Sequence, residues 1–169
     1  MGRFRHFFVM LAAMLLLAAQ PCAATEADER LEAFLDETAA LYGQTEADVV
    51  KKLGSPRERQ AVPFSNPYDA TPYEIITLTY DGLVVSLYSM EEGQRQFFHQ
   101  IRIFAAPGCF ARGVCRGIPR ERLAIALGQP EEVEGNVWRY SDVSGYNEVS
   151  FTFDAAGAVD TMTWTAEAD

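Results

Sequence analysis

One phrase occurs twice in this chain, and it constrains the fold more than any other feature. Gly43-Gln44-Thr45-Glu46-Ala47-Asp48-Val49-Val50-Lys51-Lys52-Leu53-Gly54-Ser55-Pro56 returns 74 positions later as Gly117-Ile118-Pro119-Arg120-Glu121-Arg122-Leu123-Ala124-Ile125-Ala126-Leu127-Gly128-Gln129-Pro130. Each copy closes on Leu-Gly-x-Pro. A glycine free to turn left-handed, with a proline two residues on that cannot continue a helix, stops a short helix sharply. A helix of about two and a half turns is unstable alone and must pack on something. Strand-like segments follow both copies, so the spacing predicts one helix-plus-sheet unit used twice.

The rest of the chain fills in that unit. Glu26 to Tyr42 carries Leu31, Phe34, Leu35, Thr38, Leu41 and Tyr42 at helical spacing, with Asp28, Glu29, Glu32 and Asp36 mostly opposite. Gly43 ends this helix; Thr45 caps the next, with Asp48 at the capping-box position. Residues 57–72, with Pro63, Pro67 and Pro72, read as a long loop. Three strands follow. Tyr73–Tyr80 turns at Asp81-Gly82 into Leu83–Met90, and Glu91-Glu92-Gly93-Gln94 turns into Arg95–Phe104. Alternation puts Phe97, His99, Ile101 and Ile103 on one side of the last strand, and Phe98, Gln100, Arg102 and Phe104 on the other. In the second copy Pro119 starts the helix, and Leu123 and Leu127 face inward. Gly135-Asn136 turns the chain into strands at Val137–Ser141, Glu148–Asp154 and Val159–Thr165.

The expected class is α+β: two tandem helix-plus-antiparallel-meander repeats forming one larger sheet with helices on one face. Residues 1–24 read as a signal peptide, 25–107 as the N-terminal helix plus first repeat, 108–117 as a disulfide-closed connector and 118–169 as the second repeat.

The leader rests on Arg3 and Arg5, the short apolar run Phe7–Ala19 and the small residues Cys22-Ala23-Ala24. Cleavage near Ala24 and a periplasmic or secreted protein are the expectation, with no stable membrane insertion afterwards. An uncleaved anchor is the rival reading, and a lipidated Cys22 would tether the chain, although Gln20-Pro21 before it is a poor lipidation context. Two of the 14 basic residues and none of the 24 acidic ones lie in the leader, so the chain after Ala24 carries a net charge of −12. That opposes nucleic-acid binding, which needs Lys and Arg against phosphate. Cys109 and Cys115, an even pair in a Gly-containing loop of an exported chain, read as a disulfide. No metal site or cofactor is expected, since His99 is the one histidine after the leader and no phosphate loop or dinucleotide motif is present.

The phrase at 117–130 resembles the helix signature Gly-Met-Thr-x-x-x-Val-x-x-x-Leu-Gly-x-Pro. An aromatic strand (Val137-Trp138-Arg139-Tyr140), a strand ending Phe153-Asp154 and the turn Gly157-Ala158-Val159 follow it in matching order. The chain is thereby similar to tandem beta-lactamase-inhibitor-protein repeats and to the small outer-membrane assembly lipoproteins of the SmpA/OmlA type. The resemblance spans nearly all of 43–165. It implies a scaffold rather than a reaction, and two roles: an inhibitor-like binder or an envelope assembly factor.

Catalysis has little to stand on. His99 sits among aromatics in a strand and reads as a locally hydrogen-bonded residue rather than a member of a triad. The expected function is an exported, non-enzymatic module that binds another extracytoplasmic protein, in its narrower form an inhibitor of a cell-envelope hydrolase. The alternative is an envelope assembly or structural factor; an enzyme or small-ligand binder ranks last. The partner-contact candidates are Phe110 and Arg112 in the stapled connector, and Tyr88, Met90, Phe98, Arg102 and Arg139 on an open sheet face. Against these stand two plainer readings: the disulfide only fixes the joint between repeats, and the sheet side is covered by the 57–72 loop or the N-terminal helix, since strand register leaves open which face is exposed.

Overall fold

A computed structural model of the protein describes residues 21–105 and 108–167. Residues 1–20 of the expected leader lie outside the described residues, and Pro21–Ala24 open the first helix. Among the described residues three α-helices, α1 (Pro21–Tyr42), α2 (Glu46–Leu53) and α3 (Arg120–Leu127), accompany eight strands. The strands are β1 (Glu58–Ser65), β2 (Pro72–Tyr80), β3 (Leu83–Met90), β4 (Arg95–Ile103), β5 (Glu132–Glu134), β6 (Val137–Ser141), β7 (Asn147–Phe153) and β8 (Val159–Ala166). They form one antiparallel sheet in the order β1-β2-β3-β4-β8-β7-β6-β5. The class is α+β, as the alternation predicts. Each four-strand run is a meander behind a short helix, and the last strands, β4 and β8, pair at the centre. Among the described residues, no helix is long and apolar enough to cross a membrane.

The helix ends form as their chemistry requires. The Thr45 hydroxyl accepts from the Asp48 N–H (3.2 Å) and donates to the Asp48 carboxylate (2.8 Å). At Gly43 φ is +91°, and a Cβ there would lie 2.5 Å from the Asp48 Cβ, so the tight joint between α1 and α2 needs glycine. Gly54 (φ 83°, ψ −171°) and Gly128 (φ 90°, ψ −163°) end α2 and α3 in a conformation essentially restricted to glycine. Each cap carbonyl accepts a hydrogen bond of 3.2 Å from a tyrosine on the second strand after it, Tyr80 for Gly54 and Tyr140 for Gly128.

One core face results. Ile76, Leu78, Val85, Ile101, Phe151 and Met162 are buried on it, against Phe34 of α1, Val49 of α2 and Leu123 of α3. In α1 the buried stripe runs through Leu31, Phe34, Leu35, Thr38, Ala39 and Tyr42, whereas Leu41, expected inside, is 52% exposed.

Three expectations need correction. Residues 57–72 are not a long loop: β1 pairs with β2 along its whole length, and only the turn from Asn66 to Thr71 is irregular. β1 lies at the sheet edge with all eight residues exposed, and Pro63 is tolerated at such an edge. Without a buried face it has no alternation to betray it. The opposite edge, β5, is three residues long, acidic and exposed, and also lacks a periodic signal. Finally, the register between β3 and β4 slips between Ser86 and Leu87, leaving His99 without a partner residue on β3. Such a bulge reverses which side chains share a face. Phe98 therefore joins Ile101 and Ile103 in the core, and Phe97 joins Arg102 on the open side.

Candidate binding face and the disulfide loop

The sequence candidates fall into two places, and only one is a surface. Cys109 and Cys115 form the disulfide, with Cα atoms 4.1 Å apart. The loop they close turns inward. Phe110 is 1% exposed, its ring 6.0 Å from Phe34 of α1 and 6.4 Å from Phe151 of β7, both edge-on. The Ala111 N–H donates to the buried Thr38 hydroxyl (3.2 Å), and the Tyr42 hydroxyl donates to the Cys109 carbonyl (2.6 Å). Arg112 holds both Glu37 oxygens, at 3.0 and 2.9 Å, and that hydrogen bonding draws the Glu37 carboxyl below its ordinary pKa. Burial pushes the Tyr42 phenol up to about 12. The plain reading of the loop is the one the geometry favours: the connector bolts α1 to the core. Phe110 is not displayed, and Arg112 is spent on Glu37. Phe98 is also withdrawn, 7% exposed with its ring 5.2 Å from Trp164.

Tyr88, Met90, Arg102 and Arg139 lie on the sheet face turned away from the helices. That face has two characters. Over β1 to β4 one row runs Val62–Ile75–Tyr88–Phe97 and the next Phe64–Tyr73–Met90–Arg95. Phe64 stacks on Tyr73 at 5.6 Å, Tyr73 meets Tyr88 at 5.8 Å, and Tyr88 meets Phe97 at 5.2 Å and His99 at 4.6 Å. Val62 and Phe64 stay 45% and 44% exposed. The expectation of a hydrogen-bonded His99 is not met at Nδ1, which is buried without a partner; ring packing on Tyr88 holds the imidazole instead.

Over β5 to β8 the same face is polar. Thr161, Thr163 and Thr165 of β8 sit beside Ser150 and Thr152 of β7. Arg139 lies among Glu132 (3.2 Å), Glu134 (3.0 Å) and Glu148 (3.9 Å), and the Glu134 hydrogen bond holds its guanidinium even more firmly protonated. Sequence alternation placed Arg139 correctly but gave no sign that three carboxylates surround it. Arg102 lies over the Phe104 ring at 5.8 Å. Sequence reasoning missed Val62, Phe64, Tyr73 and Phe97, the first two because β1 was unread and Phe97 because of the bulge. The clustering of aromatics between 64 and 97 was the available signal.

At one end of the face lies a cavity of about 370 Å³, lined by Tyr68, Tyr73, Tyr88, Met90, Tyr146 and Glu167 among others. Two ordered turns frame it. Asn66 accepts from the Tyr68 N–H and Asp69 from the Thr71 N–H, both at 2.9 Å, and the Thr71 bonds hold the Asp69 carboxyl low. On the other side, burial pushes Asp142 up, but hydrogen bonds from Asn147, Ser144 and Gly145 outweigh it and leave the carboxyl below its ordinary value. Among the described residues, no three His, Cys, Asp or Glu side chains gather as a metal ion would require.

No family model matches the chain, and no curated protein matches it. A solved structure with some likeness is that of a DUF4309 family protein (YjgB) from Bacillus subtilis subsp. subtilis str. 168, at 18% identity over 73% of this chain and 78% of that one, with a TM-score of 0.38. Likeness at that level transfers neither fold nor function.

Proposed function

We propose that this chain is an exported, non-enzymatic binding module that grips another extracytoplasmic protein across the open face of its sheet. The observation that carries this reading is the aromatic half of that face. Exposed Val62 and Phe64 lead a contiguous apolar patch with the half-buried Ile75, Tyr73, Tyr88, Phe97 and Met90 on the side of the sheet away from the helices. Contiguous exposed apolar surface of this kind marks interaction sites, and tyrosine, phenylalanine and methionine are the side chains enriched at interface centres.

The finer architectural reading belongs here too: two tandem repeats of the beta-lactamase-inhibitor type. Three features support it. Both halves run from a short helix into a four-strand meander; both cap glycines adopt the same glycine-only conformation; and a tyrosine from the second strand bonds each cap carbonyl at the same length.

The test is affinity capture from an envelope extract of the source organism, comparing the native chain with Tyr88→Ala and Phe97→Ala. Loss of the same protein from both variants, with thermal stability retained, supports the reading. Full retention of every captured protein by both variants sinks it. A captured hydrolase whose activity falls on binding identifies an inhibitor, and captured membrane-assembly proteins identify the assembly factor.

A further inference from the structure

We infer that the tyrosine-lined cavity at the end of the open face is a recognition site for a positively charged organic group, an alkylammonium or a guanidinium. This deepens the reading of the open face as a binding surface. Tyr73 and Tyr88 form the floor as neighbours on β2 and β3, with Met90 beside them. Tyr68, 96% exposed, projects from the hairpin turn on one side, and Tyr146, 41% exposed, comes from the other half of the sheet. The Glu167 N–H donates to the Tyr146 carbonyl at 2.8 Å, tying the carboxylate-bearing residue to the same rim.

The chemistry selects the ligand. Ring faces carry negative potential and attract cations, the more so when several surround one site. A neutral apolar ligand would strip water from the Glu167 carboxylate without giving it a partner, which is unfavourable. An anion would be repelled by that carboxylate. Glu167 is the one charged group lining the cavity among the described residues. The nearby basic groups of the face are engaged elsewhere: Arg95 with Glu91, Arg102 over Phe104 and Arg139 with its glutamates. The chain's formal charge of −10 adds a long-range attraction of the same sign. The volume suits the head of a small organic cation or the end of a lysine or arginine side chain.

The experiment titrates the purified protein, by calorimetry and tyrosine ring NMR shifts, with choline, its neutral isostere 3,3-dimethylbutanol, and the blocked amides of lysine and arginine. A nine-residue peptide carrying a central arginine is the last probe. The expected result is that cations bind at least about ten-fold more tightly than the isostere, with shifts confined to the four tyrosines. Glu167→Gln and Tyr68→Ala each weaken binding by about five-fold, whereas Tyr68→Phe retains it because the ring remains. Tyr68 is on the surface, so its variants leave folding intact. Tight binding of the free cations identifies a small-molecule site, and binding of the peptide alone identifies a basic segment of a protein. Equal measurable affinity for choline and its isostere, absence of shifts with every free cation and with the arginine peptide, or unchanged affinity of the bound probe in Glu167→Gln overturns the inference. Loss of the cation site with protein capture intact leaves the broader reading standing, because of the two capture variants Tyr88→Ala alters the cavity floor whereas Phe97→Ala lies outside the cavity and reads the broader face by itself.

Discussion

The two halves of the sheet share a backbone plan and a core face but present opposite open faces. On the core side each half places apolar side chains under a short helix, and each helix stops at a glycine held by a tyrosine hydroxyl. On the open side the first half is aromatic and the second is a field of threonine, serine and paired charge. What the halves have in common is what folding needs: helix stops, turns and an apolar floor. What they do not share is free of that demand, so the aromatic half is where selection for binding can act.

The largest expected effect tests whether the connector belongs to the common core. Phe110→Ala should cost about 3–5 kcal/mol in denaturant unfolding, because its ring fills the space between Phe34 and Phe151. A loss under about 1 kcal/mol would mean the loop is displayed and the core ends short of it. The next test asks whether the two helix stops are equivalent. Gly54→Ala and Gly128→Ala should each cost about 1–3 kcal/mol and by similar amounts, since both glycines occupy the same left-handed region. No atom crowds Gly54, and only an Arg30 nitrogen comes within 3.4 Å at Gly128, so the cost is backbone strain. A gap of more than about 1 kcal/mol between them would break the equivalence.

A smaller effect sits where α1 meets the connector. The folded Tyr42 phenol titrates at about 12 against an ordinary 10, so its contribution to stability is complete below pH 10 and is lost as pH rises through 12. Tyr42→Phe should lower stability by about 1 kcal/mol at neutral pH through the missing bond to Cys109. It should also flatten the alkaline fall, leaving the share of Tyr140 and Tyr80, which burial likewise pushes up. An alkaline slope identical to that of the native chain would show Tyr42 to be exposed.

The sequence was most legible where burial imposes a period. β3 was bounded to the residue, β2 and β4 to within one, and the paired prolines and glycines located both short helices. The Cys109–Cys115 pairing was legible from spacing and from the expectation of an exported chain. Legibility failed at the edges, because an exposed strand such as β1 has no apolar alternation and its one proline, with Pro67 and Pro72 beyond it, mimics a loop. It failed at Phe98 because the bulge at His99 puts the side chains before it out of step with those after it, and a bulge depends on the neighbouring strand rather than on local sequence. At Phe110 it failed because nothing in the connector reveals that α1 lies above it.

The smallest expected effect is the sharpest control on the contrast between the faces. Thr163 sits on the open side of β8, opposite Arg102 on β4 and Ser150 on β7. Thr163→Val keeps a β-branched side chain in a strand and removes one hydroxyl for which no side-chain bond is needed to hold the sheet. Stability should change by less than about 0.5 kcal/mol, and capture of a protein partner should be unaltered. Under identical conditions Phe97→Ala should leave the melting temperature nearly unmoved but abolish that capture, since its ring lies on the open face and not in the core. If Thr163→Val weakens the partner and Phe97→Ala does not, the polar half is the contact surface, and the aromatic rows serve only to stiffen the first meander.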